Sequence, residues 1–171
     1  MPRGDTPDMG DASPPEAPLG PRSTIRLAVG RLAIEPVLVA AGDPLDVVIR
    51  RAGTAPATRV LGVIDAAGVL VGVVKSHDLV AAILGRLAPG ALLTKIYDAD
   101  GMAEYGRYVD ATVAGDLARP PAALPETATL AEAVHLMYQR ELSGVYVVDA
   151  AGRPVGYLDG LELAAAVVAP D

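Results

Sequence analysis

The sequence contains one strand–turn–strand–helix pattern twice, and this duplication constrains the fold more than any other feature. The first copy runs from Val60 to Leu79 (VLGVIDAAGVLVGVVKSHDL) and the second from Val145 to Leu163 (VYVVDAAGRPVGYLDGLEL). Both contain the tetrapeptide Asp-Ala-Ala-Gly, and its aspartates, Asp65 and Asp149, lie 84 positions apart. We therefore interpret the chain as two copies of one structural unit.

Each copy predicts the same order of elements. In the shared tetrapeptide, Asp hydrogen-bonds its own backbone and Gly tolerates a positive φ, so the tetrapeptide is predicted to be a tight turn. The flanking Val, Ile and Leu residues are typical of strands buried on both faces. A short strand after Pro36 or Pro121 and an amphipathic helix precede each hairpin. These prolines lie 85 positions apart, so the first copy has one extra residue in the loop between helix and strand.

Two further segments complete the chain. Residues 1–22 are Pro-rich and lack the apolar surface that would offset ordering, so we expect a disordered tail, with a partner-binding peptide as the alternative. Residues 91–115 are too apolar for a free linker, and we expect one or two helices packed on the pair, with a turn at Asp98–Gly101. The predicted domains are the tail (1–22), repeat 1 (23–90), a helical connector (91–115) and repeat 2 (116–171).

Composition narrows the possible partners and location. The 171 residues carry a net charge of −7, which argues against binding to nucleic acid or to an anionic membrane. There is no Cys, and the two His lie in different copies without ligand spacing, so we expect no metal site. No apolar run approaches the roughly 20 residues that span a bilayer, and the N-terminus lacks the apolar centre of a signal peptide. We therefore expect a cytoplasmic protein.

No catalytic constellation is visible in the sequence. It has no glycine-rich phosphate loop of the G-x-x-x-x-G-K type and no nucleophile elbow. With two His and no Cys, it offers few groups for general acid–base chemistry. We therefore predict that the protein is not an enzyme.

The repeated motif V-x-D-x-x-G-x-x-x-G, placed before a helix that starts with Asp-Leu or Glu-Leu, resembles the CBS domain, named after cystathionine β-synthase. Two copies in tandem resemble the CBS pair, or Bateman module, over about Leu32 to Val168. The resemblance implies a mixed α/β fold in which two β-α-β-β-α repeats pack sheet to sheet about a pseudo-twofold axis and leave two clefts. It also implies a regulatory homodimer that binds AMP, ADP, ATP or S-adenosylmethionine in those clefts and acts here on an unknown effector in trans.

The resemblance also suggests binding residues in the first copy. Nucleotide-binding members look like G-h-x-[ST]-x-x-D after the second motif glycine, and their Asp holds the ribose hydroxyls. Asp78 fits that role, since a carboxylate accepts from both hydroxyls of a cis-diol. Lys75 replaces the hydroxyl residue and, beside Ser76 at the helix N-terminus, is predicted to meet phosphate. The alternative for Asp78 is a helix cap that needs no ligand.

The second copy departs from this pattern. Glu162 would replace the ribose Asp, but Asp159 lies where phosphate should, and two anions there repel each other. We expect this cleft to be empty, structural or suited to an uncharged or cationic adenosine ligand. Arg119 is expected to be solvated, with phosphate contact as the alternative. By resemblance, adenine would meet backbone groups after each motif proline, at Val37, Leu38, Ala122 and Ala123, with ordinary core strand as the alternative.

Two functions stay open at this stage. The first is a module that senses an adenosine compound, for which Lys75 and Asp78 are the motivation. The second is a ligand-free homodimerisation or protein-interaction module, for which the departures at Lys75 and Asp159 are the motivation.

Overall fold

The computed structural model describes residues 18–93, 96 and 98–168; most of the predicted tail lies outside these residues. After α1 (Ile25–Leu32), the first copy forms β1 (Leu38–Ala40), α2 (Leu45–Gly53), β2 (Val60–Ile64), β3 (Leu70–Lys75) and α3 (Ser76–Leu87). A connector follows, with α4 (Pro89–Leu93), α5 (Ala99–Asp110) and α6 (Ala114–Leu117). The second copy forms β4 (Ala123–Pro125), α7 (Leu130–Arg140), β5 (Gly144–Val148), β6 (Pro154–Asp159) and α8 (Gly160–Val168).

The two copies have the same sheet topology. Within the described residues, each copy contributes one three-stranded sheet, ordered β1-β2-β3 or β4-β5-β6. The first strand runs parallel to the second, and the second runs antiparallel to the third. Both hairpins carry a register shift at matching positions, near Ile64 and near Val148. The predicted β-α-β-β-α repeat is therefore confirmed in both copies.

The two hairpin turns repeat the same local chemistry. Gly68 and Gly152 adopt φ values of 77° and 76°, which only glycine accommodates easily. Asp65 Oδ1 accepts hydrogen bonds from two backbone amides of its turn, each at 2.9 Å, and Asp149 Oδ1 does the same. The identical tetrapeptide thus folds identically in both places.

Tyr146 of β5 joins the two sheets. Its side chain is fully buried, and its hydroxyl lies 2.9 Å from the carbonyl oxygens of both Val37 and Val60, which belong to the first copy. A Cβ on Gly62 would lie 2.8 Å from the Tyr146 ring, so β2 approaches that ring closely only because residue 62 is glycine. The rings of Tyr146 and Tyr157 are 5.2 Å apart and tilted by 56°.

The helices that precede each copy pack on the other copy. α1, ahead of the first copy, packs on α7, β6 and α8. α5 and α6, ahead of the second copy, pack on α3 and on β1 and β3 respectively. Single antiparallel backbone pairings join each of these preceding segments to the other copy: Thr24 pairs with Thr129, and Val113 pairs with Pro44. Each hydrophobic core therefore includes residues from the lead-in segment of the other copy.

The connector is helical, but one local prediction for it is wrong. Asp98 begins a helix rather than a turn: it is the N-cap of α5, and its carboxylate accepts a hydrogen bond from Gly101 N at 2.8 Å. An Asx side chain serves a turn and a helix start equally well, so the sequence pattern did not separate the two. The side chain of Leu92 and all of Tyr97 lie outside the described residues. The domain boundaries remain a prediction.

Candidate functional site

A cleft of about 380 Å³ opens between the two repeats. Three of the residues that line it are arginines, Arg107, Arg119 and Arg140, against one acid, Glu141. Arg107 comes from α5, Arg119 from the segment before β4, and Arg140 from the last position of α7. The remaining lining residues are small or apolar, apart from one amide: Val73, Ala118, Pro120, Gln139 and Leu142. Such a concentration of cationic groups favours an anionic ligand.

Backbone pairing fixes the floor of this cleft. The amide of Arg119 donates to Val73 O at 2.8 Å, and Val73 N donates back to Arg119 O at 3.0 Å. This pairing places Arg119 along the free edge of β3. A Cβ on Gly72 would lie 3.0 Å from Arg119 O, so the second motif glycine leaves room for the segment to approach.

Arg119 is held between two carboxylates. Its Nε and Nη2 atoms lie 3.0 Å and 2.9 Å from Asp78 Oδ2, and Nη2 also lies 3.1 Å from Glu104 Oε1. The Asp78 side chain is 2% exposed, whereas that of Glu104 is 49% exposed. A buried carboxylate requires a partner of opposite charge, and Asp78 has two: Arg119 at 2.9 Å and, more weakly, Arg107 Nη2 at 3.8 Å from Oδ2.

Tyr108 connects the same two carboxylates. Its hydroxyl lies 3.0 Å from Asp78 Oδ1 and 2.8 Å from Glu104 Oε1. Burial raises the pKa of Tyr108 well above its ordinary value, so the phenol keeps its proton at neutral pH. The hydrogen bond from Tyr108, followed by the contacts with Arg119, lowers the pKa of Glu104 against the opposing effect of burial. A single phenolic proton therefore faces two charged acceptors and serves one at a time.

The structure places Asp78 beside this cleft, in contact with Arg119, but Asp78, Lys75 and Ser76 are all absent from its lining. The carboxylate of Asp78 is engaged by side chains of Tyr108 and Arg119, beneath the cleft. Lys75 ends β3 and is half-buried, and Ser76 donates its amide to Arg59 O at 2.9 Å. Neither residue is among those that line the cleft. The assignment of ribose and phosphate to these three residues remains a prediction.

The four residues proposed to meet adenine lie in the core strands or beside them. Val37 O accepts from Gly62 N at 2.9 Å and also faces the hydroxyl of Tyr146. Leu38 O accepts from the guanidinium of Arg51 at 2.7 Å. Ala122 is 1% exposed and Ala123 pairs in register with β5. These contacts are those of ordinary core strands, which was the alternative to adenine binding, and adenine binding at these residues remains a prediction.

The second copy builds a different site. Asp159 is fully buried and forms an ion pair with Arg59 of the first copy, while its Oδ1 accepts from Leu161 N at 2.9 Å. Glu162 is half-buried in the first turn of α8. The cleft related to the first by the repeat has different residues at the equivalent positions. At a spacing of 84, Tyr157 corresponds to Val73; at a spacing of 85, Ile34 corresponds to Arg119 and Ala55 to Arg140. The arginine-lined cleft is therefore not duplicated.

Sequence reasoning missed two arginines that line the cleft and one acid, Glu104, that contacts Arg119 beside it. Arg107, Arg140 and Glu104 were not predicted, and Arg119 was expected to be solvated although it lies half-buried between two acids. A detectable signal existed: Arg119 and Arg140 are charges present in one copy and absent from the other. Comparing the copies for their differences would have found both.

The described part of the chain has neither a cluster of metal ligands nor a membrane-spanning helix. Within residues 18–93, 96 and 98–168, no group of three or more His, Asp or Glu side chains is placed to hold a metal ion. In the same residues, no helix has both the length and the apolar character needed to cross a membrane. The cytoplasmic location remains a prediction.

Comparison with known proteins agrees with this architecture. The CBS domain family matches residues 114–169. No curated protein sequence matches the chain. A CBS domain-containing protein from Thermotoga maritima superposes with a TM-score of 0.66 at 21% identity, over 85% of this chain and 94% of that chain. The chain thus has the fold of a CBS-domain pair, and its residues 114–169 are similar in sequence to the CBS domain family.

Two similar structures were solved with ligands. A CBS-pair protein from Arabidopsis thaliana in complex with AMP has a TM-score of 0.63 at 22% identity, over 85% of this chain and 96% of that chain. A CBS domain pair in complex with 5-methylthioadenosine and S-adenosyl-L-methionine has a TM-score of 0.62 at 15% identity, over 84% and 94%. At these identities the likeness concerns the fold.

Proposed function

We propose that this protein is a regulatory CBS pair that binds an adenine nucleotide in the cleft lined by Arg107, Arg119 and Arg140 and acts on a partner protein in trans. The observation that carries the proposal is that three arginine residues line one inter-repeat cleft. Arginine pairs well with phosphate, because its planar fork donates two parallel hydrogen bonds. The AMP complex of a protein with the same fold supports the nucleotide class.

The state of Arg107 also supports a ligand in this cleft. Its Nη2 atom donates to Leu117 O at 3.3 Å, but its Nε is buried and finds no acceptor within the described part of the chain. An unsatisfied buried donor costs about 1–3 kcal/mol. A phosphate or water in the cleft that reoriented this guanidinium would recover that energy.

The charge of the cleft discriminates between the two ligand classes that the sequence left open. AMP, ADP and ATP bring a phosphate anion to the arginines. S-adenosylmethionine carries a sulfonium, an ammonium and a carboxylate, and its net charge of about +1 is opposite in sign to that of the nucleotides, so the same arginines disfavour it. We therefore favour nucleotides over S-adenosylmethionine.

Isothermal titration calorimetry with AMP, ADP, ATP and S-adenosylmethionine tests the proposal. Arg140→Gln is the informative variant, since Arg140 is exposed at the end of α7 and its replacement should leave the fold intact. We expect weaker AMP binding by about five- to tenfold, as for the loss of one charge-assisted contact. Arg50→Gln, which removes an exposed arginine of α2, is the matched control. Absence of heat from all four compounds at millimolar concentration would overturn the proposal.

A second candidate function, a homodimerisation or protein-interaction module without a ligand, is favoured by a different surface. The faces of α7 and α8 border an apolar groove of about 1140 Å³. Tyr138, Leu161 and Val168 are 82%, 61% and 77% exposed there. Exposed apolar residues that lie together mark contact surfaces. A tight dimer by light scattering, lost in Leu161→Glu, together with a melting temperature that no nucleotide changes, would favour this function.

Both candidates assign the protein a binding role rather than catalysis. The polar side chains among the described residues that line the cleft are three arginines, one glutamate and one glutamine. Release of adenosine or phosphate from any of the nucleotides by the purified protein would contradict this assignment.

A further inference from the structure

We propose that Glu104 is an internal competitor for the cleft: its carboxylate occupies Arg119 in the free protein and is displaced when an anionic ligand binds. This inference rests on the proposed function, since it concerns the same cleft. It adds a regulatory contact between that cleft and the connector helix α5.

Geometry singles out Glu104 as the group that leaves. Both Asp78 and Glu104 contact Arg119 Nη2, at 2.9 Å and 3.1 Å. Asp78 has almost no access to water, whereas about half of the Glu104 side chain is exposed. A displaced Glu104 is rehydrated at once, but a displaced Asp78 would be a buried charge whose described cationic partner is Arg107, with Nη2 as far as 3.8 Å from Oδ2. A phosphate that approaches Arg119 from the cleft therefore competes with Glu104 and leaves the bond to Asp78 in place.

Tyr108 lowers the free-energy cost of replacing Glu104 by a ligand at Arg119. In the free protein its one proton is contested by Asp78 Oδ1 at 3.0 Å and Glu104 Oε1 at 2.8 Å. Once Glu104 departs, Tyr108 donates to Asp78 alone. No buried donor is left without an acceptor by the departure, and the repulsion between two neighbouring carboxylates is relieved.

The exchange has a consequence for α5. Glu104 and Tyr108 lie one turn apart on this helix, and Tyr108 is buried in the core of the first copy while Glu104 holds the preceding turn to Arg119. Loss of the Glu104 contact frees the first half of α5, and Tyr108 keeps the second half in place. Ligand binding in the cleft thereby changes the mobility of the exposed first half of α5, and a partner protein that contacts this helix would bind the two states differently.

Titration of AMP into the wild-type protein and Glu104→Gln tests the competition. We expect Glu104→Gln to bind AMP about two- to fivefold more tightly, the effect of removing one partly exposed ion pair that opposes binding. Glu104→Ala should change the affinity in the same direction. Asp110→Asn is the matched control, because it removes the same charge from an exposed position at the end of the same helix. We expect it to bind AMP as the wild type does.

Hydrogen exchange supplies a second readout. AMP should speed amide exchange in the first half of α5 in the wild type and produce a smaller change in Glu104→Gln. Unchanged or weaker binding by Glu104→Gln, with AMP still bound by the wild type, would overturn the competition and leave the proposed function standing. If neither protein binds AMP, the proposed function fails and this inference fails with it. Binding by Glu104→Gln alone would support the competition in its strongest form.

Discussion

Arg59 of the first repeat and Asp159 of the second form an ion pair across the interface between the repeats. The Asp159 side chain is completely buried, and that of Arg59 is 34% exposed. Asp159 also accepts the amide hydrogen bond of Leu161 at the start of α8. Asp159 of repeat 2 is equivalent to Lys75 of repeat 1 at the spacing of 84. The position predicted to meet phosphate in repeat 1 therefore holds a buried ion pair in repeat 2.

Asp159→Asn should destabilise the protein. The amide keeps an oxygen for the Leu161 amide but removes the charge that balances Arg59. We expect the free energy of unfolding to fall by about 1–3 kcal/mol, less than for a fully buried pair because Arg59 reaches solvent. Denaturant unfolding measures this change. Asp46→Asn, which breaks the exposed pair with Arg50, is the control and should change stability by less than about 0.5 kcal/mol.

Tyr146→Phe should destabilise the protein without changing its shape. The substitution removes the hydroxyl that faces the carbonyl oxygens of Val37 and Val60, and both lie in the closed interface between the sheets. We expect a loss of about 1–2 kcal/mol in the free energy of unfolding, since a buried acceptor is left unpaired. Tyr138→Phe alters an 82% exposed phenol and serves as control. Equal stability of the two variants would contradict this account of the interface.

The pH dependence of stability should report the state of Glu104. Its pKa in the folded protein lies below the ordinary value of 4.5, so the unfolded chain binds its proton first as pH falls. The stabilisation by ionised Glu104 is therefore present above pH 4.5 and is lost as pH falls through the lower folded pKa. We expect less than about 1 kcal/mol, because the side chain is half-exposed. Unfolding of the wild type and Glu104→Gln between pH 3 and 6 should show the two curves converging in acid.

Ligand affinity should depend on phosphate and on salt. We expect adenosine to bind at least about tenfold more weakly than AMP, because it lacks the group that the arginines hold by charge-assisted bonds. AMP affinity should fall as ionic strength rises, whereas adenosine affinity should change little. We also expect one AMP per chain, since the first copy has the uncharged residues Ile34 and Ala55 at the positions equivalent to Arg119 and Arg140. Calorimetry at several salt concentrations measures all three, and two equal sites would contradict the assignment.

The hairpins were predictable because their signals are local. The Asp-Ala-Ala-Gly turn depends on hydrogen bonds within five residues, and the capping box of Thr129 and Glu132 depends on contacts within four. The spacings of 84 and 85 correctly located the equivalent strands. Leu38 of β1 pairs with Gly62, and Ala123 of β4, 85 positions later, pairs with Tyr146, 84 positions after Gly62. Because the sequence is duplicated, the strands and turn predicted for one copy also predicted those of the other.

The cleft was less predictable because its contacts are long-range. Arg119 meets Asp78 across 41 positions of sequence and Arg59 meets Asp159 across 100. Amphipathic periodicity shows that α1 and α5 have an apolar face, but it does not show which repeat covers that face. The residue-level binding predictions at Lys75, Ser76, Asp78 and Glu162 remain predictions, to be tested by ligand titration.

The crossing of α1 and the α5–α6 segment to the opposite repeat makes the halves inseparable. Cutting the chain inside the connector would leave a fragment whose hydrophobic core lacks part of its cover, because that cover is encoded in the other fragment. Two separately produced halves would each expose apolar surface and would regain a closed core only by reassociation. Both repeats must therefore be present together for either hydrophobic core to close.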